Sequence, residues 1–137
     1  MTGFMIERNL VMLACAVSAG SHAALTREHF AEGLGPGGGF LAATLLLGVL
    51  GLGLAHRPDG CALLVAAALV LIGLIGSYAL ATTTGIPILH AGVEPVESLA
   101  VLTKAVEIGG LLAAAHLLWR SRDAAFAPAP STKESVT

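Results

Sequence analysis

Four apolar runs, at 9–25, 39–55, 61–81 and 98–119, dominate the chain. Each approaches the roughly 20 residues that a helix needs to cross the hydrocarbon core of a bilayer. Few polar side chains interrupt them: Ser18, Ser21 and His22 in the first, Thr44 in the second, Ser77 and Tyr78 in the third, and Thr103, Lys104, Glu107 and His116 in the fourth. Lipid offers no partner to an unpaired backbone group, so segments of this kind are helical. Only 12% of the residues are charged and 55% are hydrophobic, with a mean hydropathy of +0.84. A soluble domain carries about a quarter charged residues, so this chain lacks the charge to cover a surface in water. The sequence therefore predicts an all-α membrane protein, a four-transmembrane-helix bundle forming one domain over 1–123. Residues 124–137, with Pro128, Pro130 and a polar end, read as a disordered tail.

The connections are predicted as follows. Residues 26–38, TREHFAEGLGPGG, combine charge with a glycine run and are expected not to hold a stable helix in water. His56-Arg57-Pro58-Asp59-Gly60 reads as a tight turn. Residues 82–97 contain two prolines and two glycines, and Pro95 falls where a first helical turn tolerates it. Placing the N-terminus, the 56–60 turn and the tail on one side gathers Arg8, Arg57, Arg120, Arg122 and Lys133 there, against Arg27 alone on the other. Positive residues in short loops stay inside, so both termini are expected in the cytoplasm of a multi-pass plasma-membrane protein. Ser21-His22-Ala23 also looks like a signal-peptide cleavage site. The leading segment is less basic than a signal requires, with Arg8 offset by Glu7.

Small residues allow close helix contacts in lipid. Ala16 and Gly20, Gly51 and Ala55, Gly73 and Ser77, and Gly109 and Ala113 each form a small-xxx-small pair. Cys15 and Cys61 read as small buried hydrophobes, since two cysteines make no disulfide framework. The net charge of −2, without a basic stripe, argues against nucleic acid as a partner.

The intramembrane charges need partners. Glu107 lies nine residues beyond Ser98, ~14 Å along a helix and near mid-bilayer. A charge at that depth costs roughly 2.5–3.5 kcal/mol on insertion scales. Lys104, at i, i+3, can neutralise it. The two form either a structural pair or a ligand or proton-relay site. His22, His29 and Glu32 repeat along one face if the first helix continues. With Glu28, His90, Glu94 and Glu97 near, they are candidate ligands for a transition metal. Glu97, Lys104 and Glu107 repeat the same 7-then-3 spacing. If the first and fourth helices are neighbours, both stripes could line one cavity. His56 and His116 read as interfacial residues.

His22 with His29-Phe30-Ala31-Glu32, then Thr83-Thr84-Gly85-Ile86-Pro87 and Glu94-Pro95-Val96, resemble motifs of small uncharacterised four-helix membrane proteins of high-GC actinobacteria. The resemblance covers residues 10–119 and implies the same topology, with no activity attached. Members place an Arg before the Thr-Thr-Gly and aromatics where Gly39-Phe40 stand; this chain has Ala81-Thr82 at the first position.

No nucleophile elbow, phosphate loop or dinucleotide fingerprint occurs, which points away from catalysis. The leading expectation is an accessory or scaffold subunit of a larger membrane assembly, with lipid and a membrane-protein partner or second copy as its neighbours. The alternatives are an outward-facing metal or small-cation site built from His and Glu, and a proton-coupled transporter component using Glu107.

Overall fold

Apolar runs of this length form helices, and they do so beyond the expected limits. The structure, a computed structural model, describes residues 2–57, 60–86 and 93–126. It contains α1 (Thr2–Glu32), α2 (Leu34–His56), α3 (Cys61–Thr83) and α4 (Ser98–Phe126). All four are long and apolar enough to cross a membrane. At 1.5 Å per residue α1 extends ~46 Å, well beyond a ~30 Å hydrocarbon core. The 124–137 tail expected to be disordered lies almost wholly outside the described residues, as do Pro58 and Asp59 of the turn.

Each helix packs on its neighbours in chain order, and α4 closes the ring against α1. The result is an up-down-up-down bundle. One end, called distal here, carries the α1–α2 and α3–α4 connections; the other carries the termini and the α2–α3 turn. Val11, Cys15, Leu47, Leu54, Leu71, Ala114 and Leu117 fill the centre. Leu45, Val49, Leu69, Leu102 and Leu112 stand outward, each at least 60% exposed. Apolar surface on that scale is unfavourable in water and suits lipid, where close packing of small residues holds helices together.

One such contact sets the α1–α4 spacing. Gly110 lies directly on Ala14, and a side chain there would collide with the Ala14 methyl. The expected small-residue pairs are only partly used. Gly51 approaches Cys15, whereas side chains at Gly20, Gly73 or Gly109 would meet no described atom within 4 Å. Cys15 is buried as expected, but Cys61 is exposed, because it opens α3 at the surface end of the α2–α3 turn.

The glycine-rich connection departs from expectation. α1 runs on to Glu32, and Gly33 alone separates it from α2. The Gly33 N–H closes on the His29 carbonyl and its own carbonyl accepts from Gly37 N–H, so both helices stay hydrogen-bonded across the break. Pro36 falls in the first turn of α2, where a missing N–H costs no intrahelical bond. Gly37 is tucked against the Phe30 ring, which any side chain would overlap. Glycine here serves close approach of two helices, and the segment is helical as a result.

At the other distal connection, Gly85 takes a positive φ of 73°, the conformation glycine adopts without strain. The Glu94 N–H then donates to the Ala81 carbonyl at 3.1 Å, tying residues 93–97 to the end of α3. Residues 93–97 are not helical, so α4 starts at Ser98 and not at Pro95, with the Glu97 carbonyl accepting from the Val101 N–H.

Candidate functional site

Glu107 is wholly buried on α4, facing α1. A carboxylate at that position needs donors, and it has two. Lys104 Nζ, one turn away, donates to Oε2 at 2.7 Å, and the Ser18 hydroxyl on α1 donates to Oε1 at 2.5 Å. Both distances are those of charge-assisted hydrogen bonds. The lysine is itself nearly buried, 13% exposed, with its ammonium 5.6 Å from the Tyr78 ring centroid on α3. Three helices thus converge on one buried charge pair.

The hydrogen bonds continue toward the distal end. One turn above Ser18, His22 Nδ1 lies 2.8 Å from the Ser18 carbonyl. A carbonyl only accepts, so Nδ1 carries the proton and Nε2 is the ring's basic nitrogen. The Ser18 hydroxyl also lies 3.4 Å from Nδ1. At the same level, Thr103 Oγ1 on α4 stands 3.0 Å from Ser21 Oγ. Ser18 faces Glu107 and Ser21 faces Thr103, as two antiparallel neighbours require.

Above this layer opens a cavity of about 460 Å³, lined by His22, His29, Phe40, Tyr78, Thr103 and Lys104, among others. Its upper wall carries Glu28 and Glu32 from the end of α1 and Glu94 and Glu97 from the segment before α4. The Phe40 ring meets His29 edge-on at 3.7 Å between centroids and His22 at 5.1 Å. The Tyr78 hydroxyl is buried with no hydrogen-bond partner among the described residues.

Of the two polar stripes expected from sequence, His22, His29 and Glu32 with Glu97 and Lys104 line one cavity, whereas Glu107 is buried beneath it and is not part of the lining. Lys104 and Glu107 are paired as their spacing suggests. The candidate metal set fares differently. His29 Nδ1 and Glu32 Oε1 lie 3.5 Å apart, and His22, with its Nδ1 on the Ser18 carbonyl, has only Nε2 left as a ligand atom. Among the described residues no three His, Cys, Asp or Glu side chains gather where they could hold a metal ion. The spacing puts His22 and His29 on one face two turns apart, and Phe40 from α2 packs against both rings. His90 lies outside the described residues. His116 is far from the site, exposed and 2.9 Å from Glu7 Oε1 at the terminal end.

Sequence reasoning overlooked Ser18 as a ligand of Glu107, and Phe40 and Tyr78 as walls. The signal for Ser18 was present: it is the one polar residue of α1 four positions before His22, so both belong to a single face.

Fold and site together define a four-helix bundle of membrane-spanning dimensions with a cavity at one end whose lining includes His, Glu and Lys side chains. No known protein family, curated protein or solved structure matches the chain.

Proposed function

We propose that this is a multi-pass plasma-membrane protein, with both termini cytoplasmic, that takes up a small polar solute in its outward-facing distal cavity. Glu107 is the charged group through which the solute, or a proton accompanying it, acts. The observation that carries this is a fully buried acid bonded by Ser18 and by Lys104, of which Lys104 also lines the cavity. A scaffold needs no buried acid tied to a cavity-lining lysine, and a cavity of about 460 Å³ falls within the few hundred to 1,000 Å³ typical of small-molecule sites. Orientation rests on Arg8, Arg57, Arg120 and Arg122, together with Lys133 further along the sequence, against Arg27 in the 26–38 connection.

The test compares Glu107→Gln with wild type for thermal stability in detergent and for rescue of a strain lacking the gene. Glutamine keeps the shape and a hydrogen-bonding carbonyl but not the charge. Retained stability with lost rescue is expected. Full rescue by a stable Glu107→Gln protein would overturn the proposal.

An accessory-subunit role has one observation in its favour: Gly73 and Gly109 meet no described neighbour and leave room for another helix. Migration on native gels only as a lone protomer after gentle extraction would remove it.

A further inference from the structure

Resting on the proposed binding role of the distal cavity, we infer that its ligand is a small organic cation, an amine or ammonium compound. The charge of the lining points that way. Glu28, Glu32, Glu94 and Glu97 all face the cavity, and Lys104 is the only lysine or arginine among its described lining residues. Lys104 is already neutralised, its ammonium 2.7 Å from a Glu107 oxygen. The cavity therefore carries an excess of carboxylate, which raises the local concentration of cations and repels anions.

A bare metal ion is poorly matched to this space. No group of three His, Cys, Asp or Glu side chains gathers among the described residues, and the volume of about 460 Å³ suits a molecule. The walls supply what an organic cation uses. Phe40 and Tyr78 both line the cavity, and an ammonium group is attracted to an aromatic face within about 6 Å of its centroid. Tyr78 is already engaged by the Lys104 ammonium at 5.6 Å, so Phe40 is the ring left for a ligand. The cavity thus joins carboxylates at its mouth to the Phe40 ring within, where a cationic head can shed water.

Three probes of one shape separate charge from fit: choline, its neutral isostere 3,3-dimethylbutan-1-ol, and the anion 3,3-dimethylbutanoate. Calorimetric titration into the purified full-length protein in nanodiscs is expected to show choline binding at least about tenfold tighter than the alcohol, through cation–π and charge attraction together. The carboxylate is expected not to bind. Phe40→Leu keeps an apolar side chain but removes the π face, so it should weaken choline several-fold and leave the alcohol unchanged. Glu94→Gln with Glu97→Gln should weaken choline two- to fivefold at low salt and less at high salt. Binding of the alcohol or the carboxylate as tightly as choline would overturn the cationic assignment while leaving the cavity a binding site. No binding of any probe by the folded protein would also overturn it, and the Glu107→Gln rescue experiment would then judge the binding role separately.

Discussion

At the scale of single residues, the Lys104–Glu107 pair illustrates what removal of one partner does in a low-dielectric interior. The carboxylate is wholly buried and holds two donors, so each donor is worth more than its equivalent at a surface. Lys104→Leu is expected to destabilise the protein by about 3–5 kcal/mol, because it strands a buried acid. Lys104→Leu combined with Glu107→Leu should recover most of that, since a whole buried pair is often replaceable by apolar residues. Thermal unfolding of both variants in one detergent checks this; a double variant no more stable than the single one would contradict it. Ser18→Ala removes a hydroxyl bonded to a charged group and should cost about 1.5–3 kcal/mol in the same measurement. Of these contacts only Lys104–Glu107 was legible in the sequence, because three residues on one helix fix a geometry that neighbouring side chains share. Ser18 and Glu107 are separated by 89 positions, and no periodicity links residues on two helices until the helices are docked.

At the scale of elements, helix existence was legible and helix phase was not. Gly109 with Ala113 and Gly110 with Ala114 are two small-residue stripes one position apart, hence about 100° apart around α4. The sequence-based expectation is the first, although nothing in the spacing separates it from the second. In the structure Ala14 rests on Gly110, while Gly109 faces outward with no described atom within 4 Å. The two glycines should therefore respond oppositely to the same change. Gly110→Ala forces a methyl into the α1–α4 crossing and should destabilise by about 1–3 kcal/mol, as overpacking does. Gly109→Ala adds a methyl to an outward face and improves helix propensity by up to about 1 kcal/mol, so its melting temperature should equal or exceed wild type. Melting temperatures in the reverse order would show that α4 docks in the other phase. The α1–α2 connection misleads for a related reason. A glycine run signals flexibility when read alone, but here it lets α2 start flush against Phe30, which only the tertiary contact reveals.

At the scale of the whole molecule, the cavity belongs to the distal end, and its relation to the outside depends on which way the bundle is threaded. The asymmetry of Arg and Lys predicts that the distal end faces out, and the chain carries a native reporter for the opposite end. Cys61 is exposed at the α2–α3 turn while Cys15 is buried in the core. A membrane-impermeant maleimide added to intact cells should leave the wild-type protein unlabelled, and permeabilised cells should label at Cys61. For the distal end, Leu34 is the better site for a new thiol, being 85% exposed, whereas a side chain at the neighbouring Gly37 would run into Phe30. Leu34→Cys in a Cys61→Ala background should be labelled in intact cells without permeabilisation. The two measurements are independent, because one reads a turn between α2 and α3 and the other the break between α1 and α2. Labelling of wild-type Cys61 from outside, with Leu34→Cys protected, would invert the topology. The acidic cavity would then open to the cytoplasm, and a cationic solute would have to be drawn from within the cell.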